Sequence, residues 1–153
     1  MVKHYLLPAL RKVDVTDKFA FRPTGSTTAA LAYIMHHVTS LLHTNDYVRC
    51  LLVDFSKAFD TVSHVLLSCK LQKLDIPPFV INWIIKFLTD RTQATVIDSK
   101  RSFKMSITRS ILQGSGLRPF LFIIYILELW PLSDVNLMCK YADDLSQLMP
   151  SVH

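Results

Sequence analysis

Apolar residues at helical spacing predict four helices. A residue suited to starting a helix precedes each of the first three: Ser26 or Thr27, then Ser63, then Pro77. The fourth helix is predicted over residues 119–129. The positions that define the first three are Leu31, Ile34, Met35, Val38 and Leu42; Leu67, Leu71 and Leu74; and Val80, Trp83, Ile84, Phe87 and Leu88. The first two dozen residues show no such pattern and are predicted to be irregular.

Shorter apolar runs predict strands between these helices. Residues 47–55 form one run that ends on Asp54, and residues 93–97 and 103–108 predict a hairpin around 98–102. Residues 135–141 predict the last strand, which leads into a turn at 142–144 and a short continuation through Leu148. The order predicts an α+β fold, in which helices cover one face of a small antiparallel sheet. No repeat or linker interrupts it, so we expect one domain over residues 1–153.

Composition excludes several classes of protein. Half of the 153 residues are hydrophobic and 19% are charged, which excludes a disordered chain. The most apolar run, residues 119–130, is too short to cross a membrane and carries Glu128. The three cysteines, Cys50, Cys69 and Cys139, form no CxxC pair, so we expect reduced core residues of an intracellular protein.

Positive charge is concentrated in one part of the chain. Between residues 86 and 118 there are seven basic and two acidic residues, a difference of five that equals the net charge of the whole chain, +5. The basic residues are Lys86, Arg91, Lys100, Arg101, Lys104, Arg109 and Arg118, and the acidic ones are Asp90 and Asp98. This pattern indicates either a surface that binds a polyanion such as nucleic acid or an ordinary solvated face.

Two acidic stretches carry the candidate chemistry. Apolar runs of this kind favour buried strands, and they lead into Asp54 and into the pair Asp143-Asp144. Carboxylates held close together repel one another unless cations neutralise them, and Mg²⁺ is the usual cation where phosphates are handled. If the two acidic strands lie side by side, Asp54 and Asp143 can share a metal ion. The alternative is a polar turn with two exposed aspartates.

Several groups of residues, in the family's order, resemble parts of the reverse transcriptases of non-LTR (LINE-type) retrotransposons. Residues 52–62, LVDFSKAFDTV, resemble the first catalytic motif; residues 112–122, LQGSGLRPFLF, are similar to the second; and residues 141–144, YADD, match the third. Residues 21–28, FRPTGSTT, look like the entry from fingers to palm, and residues 76–93 match the stretch between the first two motifs. The resemblance covers roughly residues 19–148.

The resemblance implies a polymerase palm with part of the fingers, which copies RNA into DNA. Asp54 and Asp143 would bind two Mg²⁺ ions, with Mn²⁺ as an alternative, and Asp144 would add charge. The carbonyl of Phe55 would complete one metal shell, and Phe59 would be a steric gate against ribonucleotides. The remaining implied contacts are Gln113 and Gly114 with the nucleotide, Tyr141 with the primer end, and Arg22, Lys100 and Arg101 with nucleic acid.

Partners and location follow from the same resemblance. The partners would be an RNA template, a DNA primer and deoxynucleoside triphosphates, with no membrane, in the nucleus and the cytoplasm. We expect the remaining fingers and the thumb to belong to a longer polyprotein. Leu112 and Arg118 stand where the family has Pro and Gly, and Glu128-Leu129 where it often has Asn-Asp. The alternatives are a catalytically inactive nucleic-acid-binding remnant and another palm enzyme that uses ribonucleotides.

Overall fold

The computed structural model describes residues 2–13, 17–21 and 25–151, without the side chains of residues 2 and 3. Arg22, a predicted nucleic-acid contact, lies outside these residues. The helices are α1 (Val2–Arg11), α2 (Thr27–Leu42), α3 (His64–Gln72), α4 (Pro78–Leu88) and α5 (Arg118–Tyr125). The strands are β1 (Val48–Asp54), β2 (Arg91–Gln93), β3 (Val96–Ile97), β4 (Lys100–Arg101), β5 (Met105–Ile107), β6 (Leu137–Tyr141) and β7 (Asp144–Pro150). The mixture of helices and small antiparallel sheets confirms the predicted α+β fold.

Two compact units divide the described chain. The first contains residues 1–13 and 57–125, and the second contains residues 14–56 and 126–153. In the first unit α3 packs against both α4 and α5. Its fully buried side chains include Leu6, Val62, Leu67, Leu71, Val80, Ile84, Ile111, Leu121 and Ile124. In the second unit α2 packs on one face of a three-stranded sheet. None of the helices in the described part is long and apolar enough to cross a membrane.

The first helix corrects the prediction of an irregular amino-terminal segment. Pro8 lies inside α1, where it removes one backbone hydrogen bond. Leu6, Ala9 and Leu10 nevertheless recur at helical spacing and are buried at 0%, 3% and 8% exposure. Burial of this apolar face stabilises the helix despite the proline.

The hairpin between α4 and α5 forms where it was predicted, with a tighter tip. Arg91 pairs with Ile107 at its base, and Ile97 pairs with Lys100 at its end. The predicted five-residue loop is therefore only Asp98-Ser99, and β4 takes up the two basic residues. Asp98 has a φ of 53°, a left-handed conformation that aspartate tolerates better than most residues. Lys100 and Arg101 are both exposed.

The second unit has the strand order β1-β7-β6, all antiparallel. The strand after the Asp143-Asp144 pair, predicted as a short continuation, is thus a seven-residue central strand. The run before that pair, β6, is not the neighbour of β1. The prediction that the acidic strands lie side by side is correct only for β1 and the strand that follows the acidic turn.

Burial in the second unit differs from the pattern expected from sequence. Strand β1 is an exposed edge, with Leu52 at 73% exposure, whereas a buried strand was predicted. On α2 the predicted apolar face is also largely exposed: Leu31 and Met35 are both at 61%. Ala30 is the buried residue of this helix. The sheet meets α2 through the adjacent side of the helix, a rotation that apolar spacing alone does not resolve.

Two of the three cysteines lie outside the core. Cys50 and Cys69 are exposed, and Cys139 on β6 is buried; all three are free thiols. The prediction of core residues is therefore wrong for the first two. Burial, with a smaller effect of the nearby Asp17 charge, raises the pKa of Cys139 to about 11.

A buried cluster of charges anchors β6 within the second unit. Lys140 is only 2% exposed and bonds to the Asp17 carboxylate and to the carbonyl of Leu129. Lys18, also 2% exposed, donates to the same carboxylate over 2.8 Å. Both ammonium groups lie over the Trp130 ring, 4.9 and 4.6 Å from its centroid. Burial lowers the pKa of Lys140, while the bond to Asp17 opposes that change.

The backbone of residues 17–19 reinforces this anchor. The amide of Lys140 donates to the carbonyl of Asp17 over 2.7 Å, and the amide of Phe19 donates to the carbonyl of Lys140 over 2.8 Å. Residues 17–19 therefore run alongside the outer edge of β6 in parallel. A buried charge pair and two backbone bonds together attach this segment immediately before the YADD turn.

We predict that Asp17→Asn lowers the free energy of unfolding by about 3 kcal/mol at pH 7, because it removes the negative charge that the buried Lys140 ammonium group contacts. The matched control is Asp75→Asn, which removes the exposed pair with Lys12 and should leave stability unchanged. Urea unfolding measures both. A loss no larger than that of the control would show that the cluster does not anchor the strand.

The pH dependence of the same variant has a definite sign. The folded state binds the Lys140 proton less tightly than the unfolded chain, so stability gains as the pH rises towards the ordinary lysine value of 10.5. Without the Asp17 charge the pKa of Lys140 falls further, so the variant gains more stability than the wild type over this range. We therefore expect the difference in free energy of unfolding between the wild type and Asp17→Asn to become smaller as the pH rises from neutral to 10.5.

Candidate functional site

Strand pairing in the second unit brings the predicted metal ligands together. In the antiparallel pair of β1 and β7, Asp54 stands directly opposite Asp144. The β6–β7 hairpin places Tyr141 opposite Asp144 on the other side, so Ala142 and Asp143 form a two-residue turn. Residues directly opposite one another have Cβ atoms about 5 Å apart. Asp54 and the Asp143-Asp144 pair, which are far apart in sequence, thus lie at the same end of the sheet, which we call the acidic edge.

The turn itself has an unusual backbone. Ala142 has a φ of 55°, a conformation that costs a non-glycine residue about 1 kcal/mol. Two-residue hairpins require a positive φ at one or both central positions, which explains why the chain adopts it. The five paired residues of β6 and the Asp17 anchor hold this turn in place.

The carboxylates are accessible and suited to a hard cation. Asp54 and Asp144 are exposed, and Asp143 is partly buried. Their donors are all oxygen atoms, which Mg²⁺ and Mn²⁺ prefer. Within the described ranges, no three side chains of His, Cys, Asp or Glu converge into a group that could hold a metal ion. The three carboxylates thus supply the oxygen donors that a divalent cation prefers, but the described side chains do not form a ready-made site for one.

Two further predicted residues flank this acidic edge. Phe55 directly follows β1 and is 39% exposed, and Tyr141 ends β6 and is partly buried. Neither aromatic ring is fully covered, so both have accessible surface. Their placement next to Asp54 and the acidic turn follows directly from chain continuity.

Phe59 belongs to the first unit, and its backbone and ring are both fixed there. Its carbonyl accepts from the amide of Ile111 over 3.0 Å, and the amide of Ser110 donates to the carbonyl of Val62 over 2.9 Å. Its ring lies 4.2 Å from that of Phe122 on α5. Residues 59–62 thus contact the chain on both sides of the Gln113 loop: Ser110 and Ile111 before it and Phe122 after it.

The Gln113 loop is open and exposed. Gln113 and Gly114 are both exposed, and Gly114 has a φ of 77°. A side chain at Gly114 would meet no atom within 4 Å, so the glycine is required here for its conformation and not for space. The amide of Ser115 donates to the carbonyl of Leu112 over 3.3 Å, which closes the turn. The loop thus presents an amide side chain and unobstructed backbone to solvent.

Arg118, which stands where the family has Gly, lies at the start of a helix. Arg118 is the first residue of α5 and does not have the positive φ for which a glycine would be needed. Its guanidinium lies 4.4 Å from the centroid of the Phe59 ring. The sequence identified this residue as one of the seven clustered basic residues and as a departure from a family pattern, but did not reveal the contact with Phe59.

Two of the predicted nucleic-acid contacts, Lys100 and Arg101, lie on the hairpin. Beside them the hairpin exposes large apolar side chains. Phe103 is 95% exposed, and Met105 is 69% exposed. An exposed aromatic ring among basic residues is typical of a surface that stacks on bases.

Comparison with known proteins identifies the family. The family described as "Reverse transcriptase (RNA-dependent DNA polymerase)" matches residues 1–151, so the chain belongs to the reverse transcriptase family. Two Drosophila melanogaster relatives are the "Probable RNA-directed DNA polymerase from transposon BS", 26% identical over 92% of this chain, and the "RNA-directed DNA polymerase from mobile element jockey", 28% identical over 95%. These names confirm the resemblance to non-LTR retrotransposons.

A solved structure supports the fold. Telomerase from Candida tropicalis, solved with the TWJ fragment of telomeric RNA, matches 98% of this chain with a TM-score of 0.70 and 15% sequence identity. That match covers 28% of the telomerase chain. The chain spans 16% and 19% of the length of the two Drosophila relatives. It therefore corresponds to one part of much longer proteins.

We predict that Asp144→Asn raises the free energy of unfolding by about 0.5 kcal/mol in the absence of divalent ions, because Asp54 and Asp144 repel each other across the strand pair. The gain should decrease at 1 M salt, where the screening length is about 3 Å. Urea unfolding at low and high salt measures it. The control is Asp134→Asn, an exposed position outside the strands, which should change nothing. An equal gain in the control would contradict cross-strand repulsion.

Proposed function

We propose that this chain is the catalytic palm portion of an RNA-directed DNA polymerase. It would join a deoxynucleotide to the 3′-hydroxyl of a DNA primer on an RNA template. The observation that carries the proposal is the register of β1 and β7, which sets Asp54 opposite Asp144 next to the Asp143 turn, in a chain of the reverse transcriptase family.

The acidic edge of the second unit would hold the metal ions. Asp54 and Asp143 would bind two Mg²⁺ ions, Asp144 would add negative charge, and the carbonyl of Phe55 would complete one shell. When bound, such ions activate the attacking hydroxyl and stabilise the leaving pyrophosphate. Mn²⁺ has the same preference for oxygen ligands and is an alternative. Carboxylates on strand ends and a short hairpin are rigid supports, which a metal site of this kind requires.

Each unit carries residues for which the family resemblance implies a contact with the nucleotide or the primer. In the first unit Phe59 would exclude a 2′-hydroxyl, and Gln113 and Gly114 would position the incoming nucleotide. In the second unit Tyr141 would contact the primer end. The exposure of Gln113 and the unobstructed backbone at Gly114 support a contact with a ligand from solution.

The β2–β5 hairpin would contact the template or primer. Lys100 and Arg101 supply charge for phosphates, and Phe103 supplies a ring for stacking on a base. Arg22 is a further proposed contact. The remaining fingers and the thumb would come from other parts of a longer polyprotein, acting in the nucleus and the cytoplasm.

We expect Asp54→Asn to reduce Mg²⁺-dependent extension of a DNA primer on an RNA template by at least about a thousandfold, because it removes a charged ligand of the proposed metals. The control Asp134→Asn makes the same chemical change at an exposed position away from the acidic edge and should keep the wild-type rate. Extension that survives in Asp54→Asn would refute the assignment.

A divalent-ion titration separates loss of metal binding from misfolding. Mn²⁺ should raise the thermal midpoint of the wild type and of Asp134→Asn but not that of Asp54→Asn, because binding to the folded state stabilises it. RNA binding without extension in the wild type would favour the inactive nucleic-acid-binding remnant. Equal use of ribonucleotides and deoxynucleotides would favour a different palm enzyme.

We predict that the double change Lys100→Ala and Arg101→Ala weakens RNA binding about tenfold at low salt. It should also reduce the slope of log affinity against log salt by about 1 to 2, because fewer counterions are released on binding when phosphate contacts are lost. The control Arg11→Ala removes an exposed charge at the end of α1. Filter binding over a series of salt concentrations measures the slope. An unchanged slope would exclude the hairpin as the phosphate contact.

A further inference from the structure

The Phe59 ring is held on two sides by residues of one helix. Arg118 and Phe122 are four residues apart and therefore lie on the same face of α5. The Arg118 guanidinium lies 4.4 Å from the centroid of the Phe59 ring, and the Phe122 ring lies 4.2 Å from it. The Phe59 side chain itself is only partly buried, so one part of its ring remains accessible.

Arg118 is directed at this ring and not at a hydrogen-bond acceptor. Its Nη1 atom is buried and has no hydrogen-bond partner in the described part of the chain. Leaving a buried donor unpaired costs free energy, and the attraction between a cation and an aromatic face partly offsets that cost. The guanidinium is planar and stacks on an aromatic face more readily than an ammonium group does.

A steric gate depends on a fixed ring. A phenylalanine side chain in contact with one neighbour can turn about its first side-chain torsion, and discrimination between a hydrogen atom and a hydroxyl group is lost when the ring turns away. The hydrogen bond from the amide of Ile111 to the carbonyl of Phe59 fixes the backbone of Phe59 but not its side chain. Contact with Phe122 restricts rotation of the ring, and contact with Arg118 is a second restraint on that rotation.

We propose that Arg118 is a positioning residue that holds the Phe59 ring and thereby sets how strongly this chain prefers deoxynucleotides over ribonucleotides. The proposal rests on the proposed function, because Phe59 must contact the nucleotide sugar. Arg118 acts through Phe59 and does not itself touch the reacting atoms. The arginine that stands in place of a family glycine is thus a specificity residue of this chain.

The first test compares incorporation of dCTP and CTP opposite a template guanine by the full chain. Arg118→Met keeps an apolar stem of similar length and removes the charge. We expect it to lower the ratio of kcat/KM for dCTP to that for CTP about three- to tenfold, mainly through faster use of CTP. Arg118→Lys, which retains a cation, should recover part of the selectivity.

A background that lacks the ring supplies the matched control. In Phe59→Leu the ratio should already be low, and adding Arg118→Met should not lower it further, because no aromatic face remains to be held. An Arg118→Met ratio equal to that of the wild type, with normal use of dCTP, would overturn the inference while the proposed function stood. A drop of the same size in the Phe59→Leu background would also overturn it.

The second test needs no catalysis. Arg118→Met should lower the thermal midpoint by about 2 °C more in the wild-type background than in the Phe59→Leu background. Only the wild-type background has a contact between the cation and the ring that this change can remove. If the wild type incorporates neither nucleotide, the proposed function fails and the selectivity role fails with it. The unfolding comparison then decides by itself whether Arg118 holds the ring, and equal shifts would overturn that role as well.

Discussion

The pairing of β1 with β7 is the interaction on which the candidate site depends. Seven residues of each strand pair antiparallel, from Val48 opposite Pro150 to Asp54 opposite Asp144. Side chains alternate between the two faces of a sheet, so a slip of one residue would move Asp54 to the opposite side from its partner. Every proposed metal ligand depends on this register, because the acidic turn is an extension of β7.

The arrangement carries costs that other contacts offset. Two carboxylates face each other across strands, and Ala142 adopts a left-handed conformation in the turn. Lys140, which directly precedes Tyr141, is buried. The Asp17 carboxylate neutralises that lysine, and paired backbone on both sides of β7 holds the turn. Unfavourable local features concentrated at one edge of a sheet are typical of functional sites, where cations or substrates relieve them.

The predictions from sequence succeeded where local signals were strong and failed where a neighbour decided the outcome. Ser26 and Ser63 cap their helices as predicted, since their side chains accept hydrogen bonds from backbone amides in the first turn of each helix. Trp83 is one of the apolar positions that predicted α4, but it is 43% exposed and stacks on Phe87, whereas Val80 and Ile84 of the same pattern are buried. Spacing identifies an apolar face, whereas burial depends on which surface covers that face.

The sequence by itself determined the family, the order of helices and strands from α2 onwards, and the carboxylates that carry the candidate chemistry. Each of these is written in short motifs and local periodicity. Only the tertiary structure decided that β7 is the central strand, that Asp54 faces Asp144, and that Arg118 lies on Phe59. These contacts join residues far apart in the chain. Their formation depends on strand pairing and helix packing, because no local pattern encodes the identity of a distant neighbour.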